Sequence, residues 1–276
     1  MRLQVGASDT GKTLLAFLRD RLTEYPSVKA VKRAIEAKQC KINGRVETFS
    51  THPVKKGDWV EIHLQLPKKE HAIQLLFQDD DLILVNKPPG KTSESFTEYF
   101  LVHRLDKDTS GVILFAKTKK MQHALIDLFR QRKVQKSYLA ICDGKIKEKR
   151  WVVDNYLEKK VAYQGGSLYG KAPTGKGKRA VTHFHLLQAC EIASLVCAEP
   201  ITGRTHQVRV HLKGRGHPVL GDIQYARHFT CPIHAPRQML HSHEIRFVHP
   251  HTHEEVHCTA DPLNDFLQMQ KKLFGA

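Results

Sequence analysis

The stretch from His103 to Gly111 brings together the side chains best suited to chemistry, in the order His-Arg-Leu-Asp-Lys-Asp-Thr-Ser-Gly. Apolar runs flank it at 99–102 and 112–116, which predicts a strand, a polar turn and a second strand. A turn held between buried strands can fix a carboxylate rigidly, as a covalent or electrostatic catalyst requires. The alternative is a surface turn in which an Asp side chain caps its own backbone.

The apolar patterns also predict the elements that must hold this turn in place. We expect strands at 73–77, 82–85, 137–141 and 195–198, an amphipathic helix at 119–131 and a short helix at 207–212. The Gly- and Lys-rich interval 163–180 predicts a mobile basic loop. A polar, proline-containing stretch at 67–71 predicts a linker that separates a small domain, residues 1–66, from a larger one, residues 72–276.

The small domain is predicted to contain two helices, a hairpin and a strand. Apolar side chains recur on one face of helices over 13–22 and 28–38, and basic side chains cover the outer face of the second. Asn43-Gly44 predicts a tight type I′ hairpin, followed by an alternating strand at 59–64. The basic face is either a binding surface for an anion or a solvated face without a ligand.

Composition indicates an ordinary globular protein of 276 residues, with 41% hydrophobic and 26% charged residues. No apolar run approaches the ~20 residues of a membrane span, and the first residues lack the apolar stretch of a secretory signal. The six cysteines are scattered without a Cys-x-x-Cys pair, which fits a reducing compartment. We therefore expect a cytoplasmic protein.

The charge balance indicates a polyanionic partner. Lys and Arg number 44 against 28 Asp and Glu, a formal net charge of +16. Such a field attracts phosphates and releases their counterions, so nucleic acid is favoured. An anionic membrane surface is the weaker candidate, because no basic amphipathic helix carries a strong aromatic face.

Four segments of the larger domain resemble the RluA-type pseudouridine synthases. They are Asn-Lys-Pro-Pro-Gly at 86–90, the stretch 103–111, Lys-Ser-Tyr-Leu-Ala at 136–140, and Thr-Gly-Arg-Thr-His-Gln-Val-Arg-Val-His at 202–211 with Gly-His-Pro-Val-Leu-Gly-Asp at 216–222. The matches follow the family's order and cover residues 73–265. The segment 91–102 departs from the family, because it is short and lacks the usual His-Pro.

The resemblance implies an α+β catalytic domain on a mixed, mostly antiparallel central sheet, and isomerisation of uridine to pseudouridine. Asp106 matches the catalytic aspartate, and a carboxylate can either attack the substrate or stabilise charge as the glycosidic bond breaks. Arg204 is assigned as the cation that keeps this carboxylate charged. Tyr138 matches the active-site tyrosine. Arg104, two residues before Asp106, would share its strand face and hold the target nucleotide out of the stack.

The resemblance implies neither cofactor nor metal, because the isomerisation involves no redox step and no group transfer. His103 and His206 are assigned to structural hydrogen bonding. Lys87 is expected to order its motif or to contact RNA phosphate, and we include it among the RNA-binding residues.

Residues 12–64 resemble the small α/β RNA-binding domain named after ribosomal protein S-four. The residues that match its RNA-binding positions are Arg33, Lys38, Lys41, Asn43 and Arg45. The implied partner is structured RNA, with large-subunit ribosomal RNA favoured and transfer RNA as the main alternative. A non-catalytic RNA-binding or ribosome-assembly protein is the other class considered, and a monomer is expected.

Two further motifs suggest other chemistry. Residues 6–13 fit the P-loop string Gly-x4-Gly-Lys-Thr letter for letter, but a nucleotidase needs a parallel sheet after that loop. His249, His251, His253 and His257 precede Cys258 and could bind zinc on a strand. Because 240–260 resembles the family's closing hairpin, with His249-Pro250 in its turn, we expect the other histidines, at 251, 253 and 257, to be exposed and no metal to be bound.

Overall fold

The computed structural model describes residues 2–22, 28–36, 38–62, 73–163, 166–173 and 176–275. The chain divides into two compact units, Met1–His71 and Ala72–Ala276. The predicted linker at 67–71 lies outside the described residues. Within the described parts of the chain, no helix has the length and apolar character needed to cross a membrane.

The first unit packs two helices on a four-stranded antiparallel sheet. Its elements are β1 (Arg2–Gln4), α1 (Leu14–Arg21), α2 (Val28–Glu36), β2 (Cys40–Ile42), β3 (Arg45–Val46) and β4 (Trp59–Ile62), with strand order β1-β4-β2-β3. Phe17 and Leu18 of α1 and Ile35 of α2 are fully buried in its core. Asn43 and Gly44 both have positive φ (51° and 81°), which confirms the type I′ hairpin.

The P-loop string does not form a nucleotide-binding loop. The Lys12 ammonium pairs with Asp9 at 2.9 Å and with Asp20 at 3.0 Å, and the Thr13 hydroxyl caps α1 by accepting from the Ala16 N–H. The sheet of this unit is antiparallel, whereas a P-loop needs a parallel strand and a helix whose N-terminus faces the phosphates. The match to the P-loop sequence therefore has no counterpart in the structure of this unit.

The second unit is built on a mixed sheet of eleven strands among the described residues. Its elements are β5 (Gln74–Gln78), β6 (Leu82–Lys87), β7 (Phe100–Leu101), β8 (Ser110–Ala116), α3 (Lys119–Arg130), β9 (Gln135–Asp143), β10 (Arg150–Tyr163), β11 (Gly166–Lys171), β12 (Lys178–Ala189), β13 (Ala193–Pro200), α4 (Gln207–Gly214), β14 (Leu240–Val248), β15 (Glu255–Thr259) and α5 (Asn264–Phe274). The main path runs β11-β10-β12-β13-β9-β14-β8-β6-β5, with β15 paired to β14 and β7 to β8.

Every strand pair described in this sheet is antiparallel except β14 with β8, so the predicted fold class, α+β with a mixed and mostly antiparallel sheet, is confirmed. The predicted strands, the helix at 119–131 and the hairpin at 240–260 are present, with boundaries within a few residues. The predicted loop over 163–180 is wrong, because β11 lies within it. Leu168 and Tyr169 of β11 pack against a buried cluster that includes Leu157. The many Gly and Lys residues around this apolar pair obscured the strand in the sequence.

The two central strands β6 and β8 are buried on both faces, as their unbroken apolar sequences require. One face packs on α3 through Met121 and Leu125. The other face, with Ile113 and Phe115, packs against Leu105, which lies in the turn between β7 and β8. The core thus anchors the turn that carries Asp106.

The parallel pairing of β8 with β14 requires glycine at 111. Gly111 has φ of 112°, and a Cβ there would lie 2.0 Å from the carbonyl oxygen of Ser242 on β14. Neither the backbone conformation nor the space permits a side chain. The glycine that closes the predicted catalytic stretch therefore has a structural cause.

We expect Gly111→Ala to lower the free energy of unfolding by about 3–5 kcal/mol, because steric overlap adds to backbone strain. Gly90→Ala is the matched control, since Gly90 also has positive φ (87°) but a Cβ added there would meet open space, with nothing within 4 Å. The control should cost about 1 kcal/mol. Urea denaturation of the two variants measures the difference, and equal losses would contradict the close approach of the strands.

Candidate active site

The turn between β7 and β8 holds Asp106 by hydrogen bonds from both sides. The Ser93 hydroxyl accepts from the Leu105 N–H at 2.9 Å and donates to the Leu105 carbonyl at 3.0 Å. The Thr109 N–H donates to the Asp106 carbonyl at 3.1 Å. The Asp106 side chain is 24% exposed, so its carboxylate is fixed yet accessible. Ser93 lies in the segment that departs from the family, and sequence reasoning assigned it no role.

Lys87, at the end of β6, is fully buried and contacts the backbone of this turn. Its ammonium donates to the carbonyls of Pro88 (3.0 Å), Lys91 (2.8 Å) and Lys107 (3.1 Å), which uses all three of its N–H bonds. Burial lowers the pKa of Lys87 to about 8, against the opposing charges of Asp108 and Asp106. The prediction that Lys87 binds RNA is wrong, whereas the alternative that it orders its motif is confirmed.

Arg209, in the first turns of α4, is the cation that contacts Asp106. Its Nη1 donates to Asp106 Oδ2 at 2.8 Å, while Nε and Nη2 grip the two oxygens of Asp222 at 2.7 and 2.8 Å. Nη2 also donates to the Gln224 amide oxygen at 2.6 Å. Burial by itself would lower the pKa of Arg209, but Asp222 and Asp106 outweigh it and hold that pKa above its ordinary value. The guanidinium is therefore a permanent charge between two carboxylates.

The prediction that Arg204 pairs with Asp106 is wrong. Arg204 lies in the turn before α4, where its Nε donates to the Arg179 carbonyl at 3.1 Å. Gln207 holds this turn: its amide oxygen accepts from the Arg204 N–H and its amide nitrogen donates to the Val181 carbonyl, both at 2.9 Å. Helix α4 begins only at Gln207, so it is the second arginine of the motif that projects toward Asp106. The available sequence signal was the pair of apolar neighbours of Arg209, Val208 and Val210.

Tyr138 lies on β9 beside the turn, where it packs against the cluster that contains Leu105. Burial raises the pKa of Tyr138 to about 12; a hydrogen bond with Ser242 opposes this shift and the charge of Asp106 adds to it. The hydroxyl is therefore protonated at neutral pH and is able to donate a hydrogen bond.

Arg104 and His103 flank the buried Leu105 on its N-terminal side. The Arg104 side chain is 69% exposed and pairs with Glu94 at 3.0 Å. Arg104 lies in the turn after β7 and not in a strand, so the prediction that it shares a strand face with Asp106 is wrong. His103 accepts from the Leu114 N–H at 3.0 Å, and burial lowers its pKa to about 3. His103 thus has the structural role that was predicted.

The C-terminal histidines make separate contacts. His249 is buried and accepts from two backbone N–H groups of its turn, whereas His257 pairs with Glu244 at 2.7 Å. Across the described ranges, no group of three or more His, Cys, Asp or Glu side chains is arranged to hold a metal ion. His249 lies buried in the turn of the closing hairpin, and His251, His253 and His257 are exposed, which confirms the prediction for these histidines.

The predicted RNA-binding residues of the first unit fall into three groups. Lys38, Lys41 and Arg45 are exposed. Asn43 is engaged within the unit, because its amide oxygen accepts from the Trp59 N–H and its amide nitrogen donates to Asp58, both at 2.8 Å. The side chain of Arg33 lies outside the described part of the structure.

Comparison with known proteins identifies the family. The family described as RNA pseudouridylate synthase matches residues 93–213, a range that includes Asp106, Tyr138 and Arg209. Ribosomal large subunit pseudouridine synthase C of Pasteurella multocida (strain Pm70) is 31% identical, over 99% of this chain and 93% of its own length. The chain belongs to the RNA pseudouridylate synthase family. It is thus an RNA pseudouridine synthase, an isomerase.

Two other members of the family mark the range of its relatives. The solved structure of human RNA Pseudouridylate Synthase Domain Containing 1 has 28% identity and a TM-score of 0.62, covering 73% of this chain and 89% of that one. The tRNA pseudouridine synthase C of Haemophilus ducreyi (strain 35000HP / ATCC 700724) is 33% identical, over 74% of this chain and 96% of its own length.

We expect Arg209→Met to lower the free energy of unfolding by about 3–5 kcal/mol, because it leaves the buried Asp222 carboxylate unpaired. Arg204→Met is the matched control: it removes the same charge at a half-buried site and should cost less than about 1.5 kcal/mol. Thermal and urea unfolding of both variants give the comparison. Equal stability of the two would refute the pairing derived above.

Proposed function

We propose that this synthase converts uridines of large-subunit ribosomal RNA to pseudouridine, with Asp106 as the catalytic carboxylate. The observation that carries the proposal is the Asp106 side chain itself: one oxygen is held by the buried Arg209, and the side chain is still accessible. Arg209 holds the carboxylate in place by a charge-assisted hydrogen bond without covering it.

The reaction breaks the bond between uracil N1 and the ribose, turns the base and joins its C5 to the ribose carbon. The proton on C5 leaves and N1 gains one, so the product is an isomer of the substrate. Asp106 either attacks the substrate or stabilises the positive charge that develops as the first bond breaks. Because the Tyr138 hydroxyl is protonated at neutral pH, we assign it as a hydrogen-bond donor whose ring stacks on the extruded base.

The preference for ribosomal RNA is supported by the extent of the match. The relative named for the large ribosomal subunit aligns with nearly the whole chain, whereas the tRNA synthase relative aligns with about three quarters of it. That share is close to the share of the second unit, which supports a role of the first unit in recognising a ribosomal substrate. We assign the first unit as an RNA-binding domain of the S-four type, acting in a cytoplasmic monomer.

Asp106→Asn should reduce the single-turnover rate of pseudouridine formation by at least about 10³-fold, because the amide can neither attack nor stabilise positive charge. RNA affinity should stay within about twofold. Asp108→Asn is the matched control, since Asp108 is an exposed carboxylate two residues away, and it should retain the parent rate. Pseudouridine is counted by nuclease digestion and mass spectrometry of the RNA.

Substantial turnover by Asp106→Asn would remove the carboxylate from the mechanism. RNA binding by the wild-type protein with no pseudouridine formed would instead favour the non-catalytic RNA-binding protein considered above.

The double variant Lys41→Gln/Arg45→Gln should weaken binding to ribosomal RNA fragments, with the slope of log affinity against log salt reduced by about 2 if each cation neutralises one phosphate. Lys272→Gln, an exposed lysine on α5, is the control and should leave the slope unchanged. Filter binding at several salt concentrations measures both. An unaltered slope in the double variant would exclude this hairpin from RNA recognition.

A further inference from the structure

The second oxygen of the Asp106 carboxylate faces an imidazole. Arg209 occupies Oδ2, while Oδ1 lies 3.8 Å from Nε2 of His206, beyond normal hydrogen-bond length. His206 stands at the N-terminus of α4 in the left-handed conformation, with φ of 57° and ψ of 18°. A non-glycine residue in this region carries strain, and such strain is concentrated at functional positions.

Tyr225 determines which nitrogen of His206 carries the proton. The Tyr225 hydroxyl accepts from the Tyr169 backbone N–H at 3.0 Å and lies 2.8 Å from Nδ1 of His206. Its own proton is free to be donated to Nδ1, and burial keeps that proton in place by raising the pKa of Tyr225 to about 12. A phenol oxygen can accept two hydrogen bonds, but among the described residues Nδ1 is the acceptor within reach of the Tyr225 O–H. We therefore assign Nδ1 as the acceptor, which leaves the proton of the neutral ring on Nε2, the atom turned to Asp106.

The packing around His206 fixes the ring in this position. Tyr169 and Tyr225 contact it edge-on, each with ring centroids 5.6 Å away. Burial lowers the pKa of His206; the charges of Asp106 and Asp222 oppose this shift, and those of Arg209 and Arg104 reinforce it. Burial is the largest of these influences, so the ring is neutral at neutral pH.

We propose that Tyr225 is a positioning residue that acts through His206: it keeps the Nε2–H of a neutral imidazole facing Oδ1 of Asp106, so that Oδ1 is the oxygen free to react. A protonated His206 would pair with Oδ1 and occupy both carboxylate oxygens. The other neutral tautomer would turn a lone pair toward Oδ1 and push the carboxylate out of place. The inference rests on the proposed function, in which Asp106 is the catalytic group.

The test compares Tyr225→Phe with the parent in single-turnover assays on ribosomal RNA, from about pH 5 to pH 9. Phenylalanine keeps the ring stacked on the Arg209 guanidinium and in edge contact with His206, but it cannot donate a hydrogen bond to Nδ1. We expect the maximal rate to fall by up to about 10²-fold, with RNA affinity unchanged. The acid limb of the rate profile should move to higher pH, because a ring without its donor accepts a proton more readily. Because other groups of the protein and of the RNA also titrate in acid, the displacement of the acid limb is diagnostic and its existence is not.

Tyr99→Phe is the matched loss of a hydroxyl, because Tyr99 is half-buried against Phe115, in the apolar cluster of β6 and β8. It should reproduce the parent profile. His206→Gln supplies a second readout, since its amide N–H can take the place of Nε2–H and does not titrate near neutral pH. In the His206→Gln background, adding Tyr225→Phe should no longer move the acid limb.

A parent-like profile in Tyr225→Phe would overturn the inference, as would a displacement that persists in the His206→Gln background. Should Tyr225→Phe fold poorly, the His206→Gln variant is compared with the parent by itself. An acid limb at the same pH in both proteins would overturn the inference. These results are distinguishable from failure of the proposed function, which would show as turnover by Asp106→Asn.

Discussion

The buried guanidinium of Arg209 is the interaction on which the site depends. It is 4% exposed and lies between Asp222, which is 2% exposed, and Asp106. A charge removed from water must be paired and hydrogen-bonded, and this arginine satisfies both carboxylates with a fixed planar fork. The pairing is unequal: Asp222 receives two hydrogen bonds and is fully committed, whereas Asp106 receives one. Asp222 anchors the cation, and the second oxygen of Asp106 receives no hydrogen bond from it.

The rest of the second unit can be understood as the support for this arrangement. Lys87 binds three carbonyls beneath the turn, and Ser93 binds both backbone groups of Leu105. Leu105 itself is buried in the apolar cluster of β6 and β8. The second carboxylate bound by Arg209, that of Asp222, follows Gly221 in the chain. A Cβ added at Gly221 would lie 1.9 Å from the Arg237 carbonyl oxygen. Backbone is fixed on both sides of the ion pair, which leaves the carboxylate of Asp106 little freedom.

Several features of the site were accessible from sequence because they depend on neighbouring residues. The stretch that carries Asp106, the apolar strands around it and the type I′ turn at Asn43-Gly44 all follow from local patterns. The assignments that were wrong depend on the start of a helix or on burial. Arg204 and Arg209 stand in one motif, and only the start of α4 at Gln207 decides which of them faces Asp106. Lys87 has the sequence signature of a surface cation, yet the fold surrounds it with carbonyls.

The sequence by itself determined the family, the mixed antiparallel fold class and the polar turn that carries Asp106, because these are expressed in short segments of adjacent residues. The tertiary structure decided which arginine pairs with Asp106, that Lys87 is internal, and that Tyr225 and His206 are aligned on the second oxygen. Each of these contacts joins separate segments of the chain, and the Asp106–Arg209 bond spans 103 residues. Local propensity carries no information about such partners; their proximity is set by the order of strands in the sheet and by the burial of charge that folding imposes.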